Sequence, residues 1–452
     1  MASFVKDLVR VGFSKLNIII FGVGTSIATA RLLTPDENGI IAALLVYPSL
    51  FMVLGSMGIR QSTTYFVGKE IYSLERIKQA VTQIWLITSL ISMVVCFLLF
   101  HYLSKSIPDF SLVLVSVLCI PFSLHNTYCA GIFLGKNEIK AFNKINWIPN
   151  FVTFLTTFIL LYFFDFEVMG AMLAYLFGHM AIFIALWIRR DNLLPNTFRI
   201  EKEVISKMLS LGLIYAFALL IVNLNYKIDV VLLENLSTPY ELGIYAKGSS
   251  IVQYLWQIPM LFSTIVFARS ATSKDGLAFS KKVAQLLRLS ILMVGFVALV
   301  LMLLSKQVIL LLFGEAFLPS VIVMQILLPG VVLLTVFKVM NMDLAGKGKP
   351  YISLKSMWIP LILNVVCNLY FIPLYGSKGA AISSLISYSA ASFFFLYFYM
   401  LFLIVQLILS FHLLLIQLGN NLKTYKLLLN YLQELHYILQ KSNLCVLFEN
   451  YD

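Results

Sequence analysis

Long apolar runs in this chain carry a few ionisable and amide side chains, and those are the groups able to do chemistry. Asn223, Asn225, Tyr226, Lys227 and Asp229 crowd into one stretch. Lys247 sits in the next run, and Lys338, Asn341 and Asp343 close a later one. In hydrocarbon a central lysine or aspartate costs about 2.5–3.5 kcal/mol on insertion scales, so such a group marks a functional position by default. Lysines and amides around a wet cavity can hold an anionic, hydroxyl-rich ligand. An acid in a dry site can take up and release protons in the working range. Lys227 lies about six residues from the end of its run, roughly 9 Å deep at 1.5 Å per residue, and Lys247 is about as deep. The spacing predicts that Asp229 pairs with Lys227 or Lys247 until an anion competes for the cation. Plainer uses stand beside this one. Lys227 and Lys247 can snorkel to headgroups, Lys338 can reach the inner headgroups, and the Asp229 pair can be a static lock between helices.

The surroundings of these residues define the class of protein. Of 452 residues 60% are hydrophobic and 12% charged. Ordinary soluble domains are about 45–50% apolar and about 25% charged. A chain this apolar cannot cover a water-facing surface, and its long uninterrupted runs indicate membrane helices in place of barrel strands. The net charge of +12 does not indicate nucleic acid, because it sits in short loops between the runs. The five cysteines form no CxxC pair, so neither a metal site nor a disulfide framework is expected.

Twelve spans are predicted, at roughly 12–31, 39–59, 80–103, 111–134, 146–164, 168–188, 209–233, 242–267, 285–305, 320–344, 354–374 and 379–402. Lys6, Arg10 and Lys15 precede the first, as in a secretory signal. The run continues to about Ala30 without a small-residue cleavage site and is read as a retained helix. With the N-terminus in the cytoplasm, only Arg31, Lys105, Lys306 and Lys378 of the 33 lysines and arginines fall outside. Lys227, Lys247 and Lys338 lie within spans, and all the others lie inside. Arg31 and Arg60, at helix ends, are expected to be anchors or gate residues. The outer loops are too short for a separate catalytic domain.

The chain repeats itself. Residues 34–42 read TPDENGIIA and residues 238–246 read TPYELGIYA, identical at six of nine positions. Gly135-Lys136 and Trp147-Ile148-Pro149 recur as Gly346-Lys347 and Trp358-Ile359-Pro360, in the same order and spacing. Six spans per copy make the copies parallel repeats, an architecture that works by rocking one lobe against the other around a central cavity. The expected division is residues 1–195, 196–403 and a tail, 404–452. Pro48, Pro121, Pro149, Pro259, Pro329 and Pro360 are predicted inside helices, where each forfeits a backbone hydrogen bond and offers a hinge. The repeat offset sets Thr127, beside His125 and Asn126, opposite Lys338 as a polar counterpart. His179 reads as a hydrogen-bonded bundle residue.

Four segments carry a resemblance. The opening GFSKLNIIIFGVGTSIATARLLTPDENGIIAALLVYPSLFMVLGSMGIRQSTTYFVGK resembles the start of O-antigen flippases. YKIDVVLLENLSTPYELGIYA (226–246), LPGVVLLTVFKVMNMDLAGKGKP (328–350) and IPLYGSKGAAISSLISY (372–388) continue the pattern, which covers most of residues 10–400. These are the polysaccharide-transporter branch of the multidrug and oligosaccharidyl-lipid exporter superfamily. The resemblance implies an all-α polytopic protein of about twelve helices in two MATE-like six-helix lobes. It implies that an oligosaccharide on undecaprenyl pyrophosphate is turned over across a bacterial inner membrane. A polysaccharide polymerase and a chain-length regulator are the implied partners, and no nucleic acid. Peptidoglycan-precursor flippases of the superfamily carry arginines in the middle of the first two helices; GVGTSIATA and LVYPSLFMVL carry none.

No cofactor is expected. No GxxxxGK[ST] loop occurs, which leaves a proton or ion gradient as the energy source, with Asp229 and Asp343 as the candidate acids. Two other functions remain open: a MATE-type drug or cation antiporter, and a polysaccharide polymerase. A cation exporter favours acids in its cavity, whereas here three lysines face two aspartates; a polymerase needs a large outer loop. Residues 403–419 are either a thirteenth span or an interfacial segment. Leu428, Tyr431, Leu432, Leu435, Ile438 and Leu439 then repeat at helical spacing.

Overall fold

The computed structural model describes residues 2–105, 109–188, 195, 199–260, 266, 270, 276–347 and 349–417. Among them regular structure is entirely helical. In the first half α1 is Ala2–Leu32, α2 Pro35–Leu54, α3 Ile59–Gly68, α4 Leu74–Leu103, α5 Phe110–Gly135, α6 Ile139–Asn143, α7 Ile148–Tyr162 and α8 Glu167–Ile188. In the second half α9 is Lys202–Leu236, α10 Pro239–Tyr254, α11 Gly276–Leu303, α12 Ser305–Leu312, α13 Ser320–Gly346, α14 Pro350–Tyr375 and α15 Ser377–Gln417.

Ten helical stretches among the described residues are long and apolar enough to cross a bilayer, each coinciding with a predicted span. The protein is a polytopic all-α membrane protein. The other two predicted spans, the first and the eighth, fall on α1 and α10. The eighth is not one straight helix, because α10 stops at Tyr254 and the chain turns through Leu255 and Trp256. The second span also differs from its prediction. It breaks at Met57 and Gly58, both at positive φ, and resumes as α3. A Cβ on Gly58 would stand 2.1 Å from the Gly212 carbonyl oxygen, so the kink lets α3 lie directly on α9.

Lipid-facing surfaces are apolar and core-facing ones mixed, the reverse of a soluble bundle. On α4, Ile87, Leu90, Ile91, Val94 and Leu98 recur at helical spacing and are exposed, while Thr82, Thr88, Ser89 and Ser92 are buried. In the first half Ile59, Ile77, Tyr128, Ile182 and Leu186 pack with Val204 and Met208 of α9 in one core. Leu44, Tyr47, Cys96, Phe100, Ile120, Leu124 and Met172 form a second.

By its internal contacts the chain divides into residues 1–394 and 395–452, with the boundary inside α15. Everything described below lies in the first unit. In the second, α15 continues unbroken to Gln417, so residues 403–417 belong to the same helix as the twelfth predicted span. The periodic tail at 428–439 lies outside the described residues.

The repeats occupy matching places. Thr34 and Thr238 both cap helices with Pro at the first turn, accepting from the backbone N–H of Glu37 and Glu241 at 3.3 Å each. α5 and α13 both end at the repeated glycine, Gly135 and Gly346. The following motif diverges. Pro360 is inside α14, whereas Pro149 lies in the first turn of α7 and not inside a helix, because the chain breaks after α6 and restarts at Ile148. A proline there costs no hydrogen bond, so Pro149 is not a hinge. Pro48, Pro121 and Pro329 do interrupt α2, α5 and α13. Pro259 comes just after the turn that ends α10.

The repeated glycines form one contact between the halves. A Cβ on Gly39 would stand 1.8 Å from the Pro239 carbonyl oxygen, and one on Gly243 1.9 Å from that of Pro35. Helices α2 and α10 therefore cross in backbone contact with two-fold reciprocity. Gly39→Ala should destabilise the purified protein by about 1–3 kcal/mol, the usual cost of overpacking. Gly295→Ala on α11, where a Cβ meets nothing closer than 4.0 Å, should leave the melting temperature in detergent unchanged or higher. Equal effects in the two variants would contradict the crossing.

Candidate functional site

Helix α9 organises the polar interior. At about 1.5 Å per residue its 35 residues span about 52 Å, well beyond a hydrocarbon core of about 30 Å. Its first turn meets the first half. Arg76 Nε reaches Glu201 at 2.9 Å and Arg76 Nη2 reaches Glu203 at 3.4 Å, while the Tyr72 hydroxyl donates to Glu203 at 3.0 Å. Its middle carries the residues singled out by sequence.

Those residues part company in space. Asp229 is 1% exposed and accepts from the Tyr245 hydroxyl, the Ser384 hydroxyl (2.9 Å) and the Val230 N–H (2.9 Å). The expected ion pair with Lys227 or Lys247 is not formed; hydroxyls from α10 and α15 take the carboxylate instead. Asn225, fully buried, accepts from Asn364 Nδ2 at 3.1 Å and Ser387 Oγ at 2.8 Å. Asn368 Nδ2 donates to Asn364 Oδ1 at 2.6 Å, and Asn368 Oδ1 itself has no partner. Asn225, Asp229, Asn364, Asn368, Ser384 and Ser387 thus form a polar seam joining α9, α14 and α15. Asn223 is not part of it and donates to the Leu219 carbonyl of its own helix at 2.8 Å.

The three lysines predicted within spans have three different fates. Lys247 is 6% exposed and crosses to α1, donating to the Ser26 carbonyl (2.9 Å) and the Thr29 hydroxyl (2.6 Å). Its ammonium also lies 5.5 Å from the Phe313 ring centre. Lys338 does not run to the headgroups; its ammonium stands 4.1 Å from the Trp256 ring centre and 4.4 Å from that of Tyr226. Lys227 is half-buried and donates no hydrogen bond to any described residue; its electrostatic partner is Asp229, two residues along. An apolar cleft of about 220 Å³ adjoins Lys247, lined by Val23 and Ser26 of α1, Tyr254 of α10 and Phe313.

Asp343 and Asn341 are held by neighbouring side chains. Asp343, fully buried, accepts from Ser270 (2.7 Å), Ser280 (2.9 Å) and Lys347 (2.7 Å). Asn341 accepts from Ser353. In the counterpart region His125 packs on Phe183 and Trp85, and Thr127 donates to the Ser123 carbonyl. Asn126 Oδ1 is buried without a partner. His179 meets the Tyr175 ring edge-on at 4.8 Å.

At the end that the charge count assigns to the outside, the halves are tied together. Arg31 donates to the carbonyls of Leu310, Leu311 and Leu312 at 2.9, 2.6 and 3.2 Å, closing the free end of α12. Glu234, 1% exposed, accepts from the Tyr47 and Ser104 hydroxyls at 2.8 Å each and the Lys105 N–H at 3.0 Å. Arg60 lies at the other end, exposed at the start of α3 and within electrostatic reach of Lys15.

Sequence reading missed Glu234, Tyr245, Asn364, Asn368, Ser384 and Trp256. A signal existed for two of them: Asn364 and Asn368, four residues apart in an apolar run, share a helix face.

The fold is similar to those of solved transporters of the MOP superfamily. A lipid II flippase, MurJ, in an inward closed conformation superposes with a TM-score of 0.70 at 12% identity over 98% of this chain and 99% of that one. A multidrug resistance MATE family transporter in an inward-facing conformation gives 0.67 at 16% identity over 85% and 94%. A MOP superfamily transporter from Pyrococcus furiosus gives 0.63 at 15% identity over 87% and 94%. No curated protein matches in sequence. Residues 6–270 match the model of the polysaccharide biosynthesis protein family, more than half of the chain, and the protein belongs to that family.

Hydrogen bonds to charged groups contribute about 1.5–3 kcal/mol each, so the Arg31 and Glu234 ties join the halves at the end that the charge count assigns to the outside. In a cysteine-free background, a cysteine at Thr29, which is 7% exposed, should be labelled from outside by an impermeant maleimide several-fold faster after Arg31→Ala or Glu234→Ala. Unchanged labelling in both variants would show that these ties do not control access.

Proposed function

We propose that this protein is a flippase. It turns an oligosaccharide unit carried on undecaprenyl pyrophosphate from the cytoplasmic to the outer face of a bacterial inner membrane, by alternating access, for O-antigen or a related surface polysaccharide. A polymerase and a chain-length regulator act on the product. The observation that carries the reading, in a polysaccharide biosynthesis family member with a transporter fold, is Lys227. It is a half-buried cation on the central helix with no hydrogen bond to any described residue. Such a charge is costly to keep in a membrane unless an anion visits it. The apolar cleft beside Lys247 suits a hydrocarbon chain travelling next to a polar headgroup.

The direct test is the sidedness of the lipid-linked glycan in cells with and without the gene. Deletion should trap the glycan on the cytoplasmic face. Single units accumulating on the outer face would indicate a polymerase, and no change a drug or cation antiporter. Lys227→Ala should lower transport at least tenfold and Lys227→Arg should keep most of it. Wild-type rates in both would remove Lys227 from the site.

Energy is proposed to come from a proton or ion gradient acting on Asp229. Tyr245 sits on α10 and Ser384 on α15, so a change in the charge of Asp229 alters bonds among three helices at once. Asp229→Asn should abolish the dependence of transport on the gradient in proteoliposomes. Full gradient-driven transport by Asp229→Asn would rule this acid out.

A further inference from the structure

Four aromatic and cationic side chains from four segments meet within the second half. Tyr226 of α9 and Trp256, after the end of α10, have ring centres 5.0 Å apart. Tyr388 of α15 stands edge-on to both, at 6.1 Å and 5.9 Å. The Lys338 ammonium of α13 lies against the first two rings. A lysine chain could have extended toward the inner headgroups; here it is turned back into rings, whose faces attract a desolvated cation. Three polar atoms here lack partners. The Trp256 Nε1–H, the Tyr226 hydroxyl and the side-chain oxygen of the neighbouring Gln257 are all buried without a hydrogen-bond partner, and Trp256 is only 8% exposed. Buried donors are nearly always paired, and three orphans at one place call for a missing partner.

The donor set describes that partner. An ammonium, an indole N–H and a phenol O–H all serve an acceptor bearing negative charge, and the orphan amide oxygen serves a hydroxyl. Aromatic rings present the apolar walls against which the C–H face of a pyranose can lie. We propose that Tyr226, Trp256, Tyr388 and Lys338 form a binding site for an anionic oxygen group of the transported glycan-lipid. That group is a sugar carboxylate or the carrier's pyrophosphate. The site rests on the flippase reading for its physiological ligand, but its chemistry is independent of transport. In the chain Tyr226 stands between Asn225 and Lys227 on α9.

Ligand binding raises the melting temperature of the state that binds, so the test needs no transport. The full-length protein in detergent is melted with sodium glucuronate, with glucose and with inorganic pyrophosphate at matched ionic strength. Glucuronate or pyrophosphate should raise the melting temperature where glucose does not. The shift should vanish in Lys338→Met and in Trp256→Phe, which keeps a ring and loses the N–H, and should survive in Trp358→Phe, where the indole is 51% exposed. Should Lys338→Met fail to fold, Tyr226→Phe, which removes one hydroxyl, should weaken binding at least threefold. A cage-dependent shift with glucuronate assigns the site to an acidic sugar; one with pyrophosphate alone assigns it to the carrier. No shift with either anion, or a shift untouched in the Lys338 and Trp256 variants, overturns the proposal. A binding shift in a protein whose deletion leaves glycan sidedness unchanged would overturn the flippase reading and leave the site standing.

Discussion

A charge carried into hydrocarbon has to be satisfied by the protein itself, and in this molecule the satisfying groups come from other helices. Lys247 on α10 is held by a carbonyl and a hydroxyl of α1. Asp229 on α9 is held by hydroxyls of α10 and α15. Glu234, also on α9, is held by groups of α2 and of the chain after α4. Each buried charge therefore specifies a helix–helix contact, since leaving its partner elsewhere strands an ion in a medium that cannot solvate it. Apolar packing against lipid carries no such direction, because lipid tails are as apolar as leucine. The polar groups determine which helices meet, and the small residues at Gly39 and Gly243 determine how closely.

This division of labour explains what could be read from the residues. Span positions were legible because a membrane helix announces itself by length and hydropathy, and ten predicted spans reappear among the described residues. That Lys227, Lys247 and Lys338 stand on apolar helices was legible for the same reason. Partner choice was not. Asp229 and Lys247 are both near the outer ends of adjacent helices, and charge alone favours pairing them. The side chains leave in different directions, and the nearer hydroxyls of Tyr245 and Ser384 satisfy the acid. Sequence distance along two helices does not encode the rotation of one against the other. The breaks at Met57-Gly58 and Leu255-Trp256 were hidden too, since apolar composition continues across both.

The duplicated motif shows how a symmetric ancestor of the two halves would be put to asymmetric use. Thr34 closes a reciprocal capping box with Glu37, whose carboxylate accepts from the Thr34 N–H at 2.7 Å. In the second copy the equivalent Glu241 is turned away to accept from the Ser377 N–H at 2.8 Å, pinning the start of α15. The first copy keeps its glutamate for a local helix end, and the second spends it on a tertiary link. The same drift separates Pro149 at the start of a helix from Pro360 inside one.

The asymmetry extends to the interior and bears on how such a molecule moves. The second half holds the amide–hydroxyl seam of Asn225, Asn364 and Ser387 and the ring-bound Lys338. In the first half the matching level holds His125 among aromatic rings and a lone Asn126 oxygen. A ligand that met equal affinity in both halves and both states would shift no equilibrium. Because Asn225, Asn364, Ser387 and Lys338 lie on α9, α13, α14 and α15, a ligand bound there, as proposed, alters bonds within one half. Under the proposed alternating access, the ties at Arg31 and Glu234 are the bonds through which such a change reaches the other half, because they join α1 to α12 and α2 to α9.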